Sequence, residues 1–154
     1  MSIAPIVQTV LVRLPTERAF EVFVGRMGDW WAKGKTIGKN PHRAIVLEPY
    51  PGGRWYEEDA AGTQCEWGRV LAWEPPHRLL LAWHLDASFT HDPGCETEVL
   101  ITFTPEASGT RVTLEHRHLE RFGPSAERVA AALAGGWPTR LQDFVAFTDG
   151  ESTP

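Results

Sequence analysis

Cysteine, methionine and tyrosine are scarce in this chain, which has two of each among its 154 residues. The two cysteines, Cys65 and Cys95, are too few for a disulfide framework and match no metal-binding spacing, so a reducing compartment is expected. No apolar run approaches the length of a membrane span, and the N-terminus lacks the basic and then apolar pattern of a secretory signal. The sequence therefore predicts a cytoplasmic protein without a membrane span.

Basic residues are outnumbered as well. The chain has 15 lysines and arginines against 20 aspartates and glutamates, which gives a formal net charge of −5. Nucleic-acid binding needs a concentrated basic face, so we predict no nucleic-acid partner. The chain also has no glycine-rich phosphate loop, no nucleophile elbow and no His-Glu-x-x-His motif. We therefore predict no cofactor, assign no catalytic residue, and favour a binding protein over an enzyme.

Tryptophan, by contrast, is abundant, with seven residues at positions 30, 31, 55, 67, 73, 83 and 137. Aromatic side chains of this size line either cores or ligand pockets, and composition alone favours neither. The length fits one domain over residues 1–154, large enough to remove roughly 70% of its unfolded surface from water. The chain is therefore long enough to enclose either an aromatic core or an aromatic pocket.

The order of the apolar patterns predicts an α+β fold. Residues 7–14 form a β-rich run that Pro15 ends, and a short helix follows from Thr16, which can cap it, to Val24. A second short helix is predicted near residues 28–31. After a polar loop, the pattern predicts six strands, near residues 45–48, 53–58, 64–73, 78–85, 96–104 and 110–118.

The last predicted element is a long helix over residues 125–148, with Ser125 as its cap. Its apolar residues repeat at intervals of three and four from Val129 to Val145, which gives it one face to bury. Pro138 cannot donate a hydrogen bond to the carbonyl of Ala134, so we predict a kink or a break there. An antiparallel sheet with one apolar face would bury both surfaces by curling around such a helix.

Four phrases occur in order along the strands, at residues 51–57 (PGGRWYE), 66–70 (EWGRV), 74–79 (EPPHRL) and 109–116 (GTRVTLEH). Their order and spacing resemble the activator-of-heat-shock-protein-90-ATPase homologue family, within the START-like (SRPBCC) helix-grip superfamily. The resemblance implies a curved antiparallel sheet of six to seven strands wrapped around the long C-terminal helix, with two short helices after the first strand. It also implies a cavity between sheet and helix that binds a hydrophobic small molecule.

The resemblance and the alternation of the strands together assign the residues of that cavity. His116 faces inward with Val112 and Leu114, and it is expected to hydrogen-bond a polar group of the ligand. The same histidine can instead be a neutral core residue that protein groups satisfy. The walls are expected to come from Phe20, Trp30, Trp55, Leu81, Trp83, Val99, Ile101, Phe103, Leu114, Trp137, Leu141 and Phe144.

Two other functions stay open on the sequence. One is an enzyme of the same fold, of cyclase or hydrolase type, that uses His116 and a carboxylate. The candidate carboxylate is Glu57, which the resemblance places near the cavity mouth. The other is a module that binds a chaperone or forms a homodimer.

No metal site is predicted. Five potential ligands lie close together in sequence, but none of their spacings is typical of a structural zinc site. Residues 92–94 also form a good turn by themselves. The five residues are His84, Asp86, His91, Asp92 and Cys95.

The predicted loop over residues 32–44 is locally basic, with Lys33, Lys35, Lys39 and Arg43. If this loop covers the entrance of the cavity, its positive charge would favour anionic ligands.

Overall fold

Seven antiparallel strands form one sheet in the computed structural model of the chain, which describes residues 3–152 and the side chains of residues 3–150. The order of the strands across the sheet is β1-β7-β6-β5-β4-β3-β2. β1 and β2 are therefore the two edge strands. Every neighbouring pair is antiparallel. The strands are β1 (Ile6–Val12), β2 (His42–Leu47), β3 (Arg54–Asp59), β4 (Gln64–Glu74), β5 (Arg78–Trp83), β6 (Thr97–Glu106) and β7 (Gly109–Arg117).

Within residues 3–152, three α-helices and one 3-10 helix complete the fold. They are α1 (Thr16–Gly25), α2 (Met27–Trp30), the 3-10 helix (Leu119–Ser125) and α3 (Ala126–Ser152). Of the helices in residues 3–152, none is long and apolar enough to cross a membrane. The α+β helix-grip fold predicted from the sequence is confirmed, with seven strands, two short helices after β1 and one long C-terminal helix.

Three local predictions need correction. Thr16 is not a cap, because it is the first helical residue of α1 and Pro15 occupies the cap position without a side-chain bond. The Thr16 hydroxyl instead lies 3.3 Å from that of Thr110, which donates to the carbonyl of Leu14. The predicted loop ends sooner than expected, since β2 begins at His42. Of the kink or break predicted at Pro138, the break is wrong, since α3 runs through this residue without interruption.

The inner layer of the sheet is set by strict alternation. In β6 the side chains of Thr97, Val99, Ile101 and Phe103 are buried, and β5 buries Leu79, Leu81 and Trp83 on the same side. Each of these β5 residues lies opposite a buried residue of β6 in the antiparallel register. Side chains two residues apart share one face of a strand, so the period fixes this apolar surface.

A β-bulge makes one exception that shapes the functional site. Between β3 and β4 the register shifts after Trp55, so that Trp55 pairs with Gly68 while Tyr56 pairs with Glu66. Trp67 is the extra residue of the bulge: Glu66 and Gly68 on either side of it pair with β3, and Trp67 does not. The side chain of Trp67 is buried. A side chain at Gly68 would collide with the carbonyl of Ala82 on β5, so this position requires glycine.

The helices close the inner face of the sheet with aromatic contacts. Phe20 of α1 meets Phe103 of β6 edge to face at 5.1 Å between ring centroids. Phe23 meets Phe144 of α3 at 5.2 Å in the same arrangement. Such edge-to-face pairs are favourable beyond their burial, because the positive ring edge faces the negative ring centre. Most of the space between the sheet and the helices is therefore filled by rings.

Candidate functional site

One end of the space between the sheet and α3 remains open as a cavity of about 540 Å³. Its walls come from the segment after α2, from β4 and β5, from the β5–β6 connection, and from one face of α3. On α3, Leu133, Gly136, Trp137 and Arg140 recur at intervals of three and four, so they lie on the same side of the helix. The glycine at position 136 has open space at its Cβ position, because no atom outside the helix lies within 4 Å of it.

Four of the seven tryptophans border this cavity, namely Trp31, Trp67, Trp83 and Trp137. Trp31 contacts Trp67 at 4.9 Å between ring centroids and Trp137 at 6.0 Å, and Trp137 contacts Trp83 at 5.6 Å. All four are buried, with at most 6% of their surface exposed. Because the rings hold one another in place, the cavity has a rigid aromatic wall.

The polar side of the cavity is basic. Arg140 and Lys35 border it together with the hydroxyl residues Thr36, Ser88 and Thr139. Among the described residues that line it, none is a histidine, an aspartate, a glutamate or a cysteine. The surface that a ligand meets is therefore aromatic with positive charge, and it lacks any group that titrates near neutral pH.

Arg140 is the most constrained of these polar residues. Its side chain is only 12% exposed, and its Nε lies 3.0 Å from Oδ2 of Asp143 one turn later on α3. Both atoms are buried and neither makes a hydrogen bond within the described residues, so the contact is an ion pair without hydrogen-bond geometry. A largely buried guanidinium with one carboxylate partner retains donors for a further anionic or oxygen-rich group.

His116 lies behind the aromatic wall and is fully buried. Nε1 of Trp137 donates to its Nδ1 at 3.0 Å, and its Nε2 lies 2.7 Å from the hydroxyl oxygen of Thr97. Because the indole can only donate, Nδ1 must be unprotonated and Nε2 carries the proton. Burial lowers the pKa of His116 from 6.5 to about 3, so the ring is neutral at physiological pH. Both ring nitrogens are occupied by protein groups.

Glu57 is also buried, and its carboxylate accepts three hydrogen bonds. Nε1 of Trp67 and the backbone amide of Ile37 each donate to Oε1 at 2.8 Å, and the amide of Gly38 donates to Oε2 at 3.2 Å. Trp31 adds a second anchor, since its Nε1 donates to the carbonyl of Lys35 at 2.9 Å. These bonds hold the segment over residues 35–38 against the sheet, and this segment is one wall of the cavity.

The structure places the sequence-predicted residues in three settings. Trp83 and Trp137 border the open cavity. Trp55, Leu81, Val99, Ile101 and Leu114 border an internal void of about 10 Å³, which has room for at most one water molecule. The others are buried without bordering either space, and they are Phe20, Trp30, Phe103, His116, Leu141 and Phe144.

Sequence reasoning did not select three residues that define the cavity, Trp31, Trp67 and Arg140. One signal was available for Arg140, which follows Trp137 by three residues and so lies on the same helical face. Trp67 reaches the interior through the bulge at Trp55, and a bulge has no clear mark in the sequence.

Comparisons with known proteins agree with the fold. The family model described as Activator of Hsp90 ATPase homolog 1-like protein matches residues 13–149. Among solved structures, the anthrahydroquino-γ-pyrone synthase Txn09, complexed with SUM, is 38% identical over 94% of this chain and 97% of that one, with a TM-score of 0.67. No curated protein matches the chain.

Two further solved structures extend the comparison. The self-sacrificing resistance protein CalC of Micromonospora echinospora is 29% identical over 96% of both chains, with a TM-score of 0.73. Protein NE0264 of Nitrosomonas europaea is 17% identical over 97% of this chain and 96% of that one, with a TM-score of 0.71, and it shows the fold alone. The resemblance drawn from the four sequence phrases is thus confirmed by the family match, which covers most of the chain. The chain belongs to the Activator of Hsp90 ATPase homolog 1-like family and has the helix-grip fold.

Proposed function

We propose that this protein binds a planar, hydrophobic small molecule that carries an acidic oxygen, in the cavity between the sheet and α3. The observation that carries the proposal is the combination of four indole rings with the guanidinium of Arg140 around one open space. Indole faces favour flat aromatic ligands, and a guanidinium binds carboxylate or enolate oxygens through paired donors. The volume of about 540 Å³ lies within the usual range of ligand pockets, roughly 300–1,000 Å³.

Two unsatisfied donors support an oxygen-rich ligand. Nε of Arg140 is buried and makes no hydrogen bond within the described residues, although Oδ2 of Asp143 lies 3.0 Å away. Trp83 also borders the cavity, and its Nε1–H finds no acceptor in the described part of the chain. Buried donors without acceptors are costly, so ligand oxygens placed beside them would be favourable.

The relatives support the same ligand class. The 38% identical protein is described as a synthase of an anthrahydroquino-γ-pyrone, which is a planar, oxygen-rich polycycle. A molecule of this kind would stack on the indoles and offer phenolic or keto oxygens to Arg140. His116 is not part of this proposal, because both of its ring nitrogens are bonded within the protein.

A second candidate function is catalysis of a ring closure on such a ligand, and the identity of 38% to a synthase favours it. Arg140 would then stabilise negative charge that develops on an enolate oxygen, and the aromatic wall would hold the substrate in a reactive conformation. A mechanism with His116 as the general base is not supported, since its pKa of about 3 makes it a very weak base. The candidate carboxylate, Glu57, is also bonded within the protein, because it accepts hydrogen bonds from Trp67, Ile37 and Gly38.

Binding can be tested with a matched pair of ligands, anthraquinone-2-carboxylate and 2-methylanthraquinone. Tryptophan fluorescence should change saturably with both, because the indoles surround the cavity. Arg140→Met should weaken binding of the carboxylate by about tenfold or more, the usual worth of one charge-assisted hydrogen bond, and should barely affect the methyl compound. Arg13→Met, at an exposed position directly after β1 that does not border the cavity, is the control and should leave both affinities unchanged.

Two results would contradict the proposal. One is the absence of any saturable fluorescence change with either compound. The other is an equal loss of affinity for both compounds in Arg140→Met, which would indicate a structural rather than an ionic role of the arginine. Formation of a new product from a linear polyketide-like substrate would instead indicate the second candidate function, catalysis of a ring closure.

A further inference from the structure

A second cluster of side chains lies next to the cavity, where β4 begins and β5 ends, and combines two imidazoles with a carboxylate. One ring nitrogen of His84, one of His91 and one carboxylate oxygen of Glu66 all lie within 4.8 Å of one another. Imidazole nitrogens and a carboxylate oxygen are the ligands of many catalytic and regulatory zinc sites. The sequence analysis predicted no metal here because it compared only neighbouring residues, and Glu66 is on a different strand.

His84 is the residue whose state points to a missing ligand. It is buried, and its Nε2 lies 2.8 Å from Oε1 of Glu96. A carboxylate accepts hydrogen bonds, so Nε2 carries the proton of the neutral ring and Nδ1 carries a lone pair. Nδ1 is buried and has no partner among the described residues. A histidine that donates one N–H to a carboxylate and leaves its other nitrogen free has the usual arrangement of a metal ligand.

Glu66 and His91 face each other. Nε2 of His91 lies 3.0 Å from Oε2 of Glu66, while Oε1 of Glu66 lies 3.2 Å from a nitrogen of Arg54 and 3.2 Å from one of Arg69. The two arginines contact one oxygen of the carboxylate and leave the other oxygen to face His91. They also add positive charge, so a cation should bind here less tightly than in a site without arginines.

The backbone around the histidines is already ordered. The amide of His84 donates to the carbonyl of Trp67 at 2.8 Å, and its carbonyl accepts from the amide of Asp92 at 2.7 Å. Leu85 and His91 form an isolated β-bridge that closes the short connection between them. Because both ligand-bearing residues are held before any ion binds, little conformational entropy would be lost on binding.

We propose that Glu66, His84 and His91 form a binding site for a divalent transition-metal ion of the zinc type. His84 binds through Nδ1, His91 and Glu66 supply one atom each, and water completes a tetrahedral shell. Glu96 is a positioning residue that fixes the ring of His84 through Nε2. The connection from Leu85 to His91 contributes Leu85, Ser88 and Phe89 to the cavity wall, so the ion would fasten this wall to β4. The proposal of this metal site does not depend on which ligand the cavity binds.

The test uses the untagged full chain and Co²⁺ as a spectroscopic substitute for Zn²⁺. Titration with Co²⁺ should produce the intense visible absorption of a tetrahedral N/O site and saturate at one ion per chain, and Zn²⁺ should displace it. His91→Gln and Glu66→Gln should each lower the affinity by tenfold or more. His77→Gln, at an exposed histidine outside the cluster, should leave it unchanged. Glu96→Gln should weaken binding by about 10–100-fold without abolishing it.

Two outcomes would overturn the proposal. The first is no saturable absorption or heat with Co²⁺ or Zn²⁺ up to about 1 mM, a concentration beyond which binding would be too weak to matter. The second is equal metal affinity in wild type, His91→Gln and His77→Gln, which would indicate non-specific binding to surface histidines. His91 has a side chain 35% exposed, so its variant should fold, and circular dichroism of each variant checks this.

Discussion

The indole nitrogen of Trp137 donates a hydrogen bond of 3.0 Å to Nδ1 of His116 and thereby joins the cavity wall on α3 to the inner face of β7. The bond fixes the tautomer of His116, whose Nε2–H is then directed to the hydroxyl of Thr97 on β6. The ring of His116 also packs against Trp83, at 5.1 Å between centroids. The histidine thus supports two of the tryptophans that border the cavity and leaves no ring nitrogen for a ligand.

This arrangement predicts a pH-dependent stability that His116 controls. The pKa of His116 is about 3 in the folded protein and 6.5 as the reference value, so the unfolded chain takes up the proton first as the pH falls. The contribution of the neutral ring is therefore complete above pH 6.5 and is lost progressively as the pH falls towards 3. His116→Gln should be less stable than wild type by about 1–3 kcal/mol near neutral pH, and this difference should shrink on acidification.

Urea unfolding of both proteins at about pH 7 and about pH 4.5 measures this difference. The pKa of His42 is also lowered by burial, but His42 is present in both proteins and its effect cancels in the comparison. A stability difference that stays constant across this range would show that His116 does not titrate as its burial implies.

A pair of glycine substitutions should change stability in opposite directions. Gly68→Ala should destabilise the protein strongly, because the new Cβ would collide with the carbonyl of Ala82 in the centre of the sheet. Gly135→Ala should stabilise it by about 0.5–1 kcal/mol, because position 135 is helical and has open space around its Cβ position. Thermal melting curves of the two variants check this prediction, and a stable Gly68→Ala protein would contradict the register of β4 and β5.

The fold could be predicted because its signals are local. Alternation in β6 and β7 fixed the inner face, and Gly109 at the turn between them fixed their pairing. The helical period from Val129 to Val145 fixed α3 in the same way. Three features went against local rules: the contact of Thr16 with the distant Thr110, the early start of β2 at His42, and the continuity of α3 at Pro138.

The site was harder to predict, because inward-facing residues look alike in a sequence whether they pack together or border open space. Phe20 and Phe103 fill the middle of the interior by contacting each other, while Trp83 at the end of β5 faces the cavity. Whether an inward-facing residue packs or borders the cavity depends on how α1 and α3 are placed on the sheet. The periodicity of the sequence does not specify that placement. The contribution of Trp67 depends on a bulge, and the contribution of residues 35–38 depends on bonds to Glu57 from a distant strand.

The tryptophans should differ in how strongly they report ligand binding. Trp83→Phe and Trp137→Phe should weaken the response of fluorescence to anthraquinone-2-carboxylate, because both indoles border the cavity. Trp73→Phe is the control, since Trp73 contacts Phe20 at the other end of the interior, at 5.2 Å between ring centroids. Titration of the three variants measures the affinity as well as the amplitude. Equal losses in all three would indicate binding away from the cavity.

Glu57 should control the wall formed by residues 35–38. In Glu57→Gln the amide oxygen can keep the bonds from Trp67 and Ile37, but the new NH2 group then faces the amide of Gly38, which also donates. One buried donor loses its acceptor, so the free energy of unfolding should fall by about 1–3 kcal/mol. The segment should also loosen, so the amides of Ile37 and Gly38 should exchange with deuterium faster and ligand affinity should fall.

Glu58→Gln is the matched control, because Glu58 is the next residue on β3 and its ion pair with Arg43 lies at the surface, where such pairs contribute little. If hydrogen exchange at Ile37 and Gly38 were the same in Glu57→Gln and wild type, the carboxylate would not be what holds this wall in place.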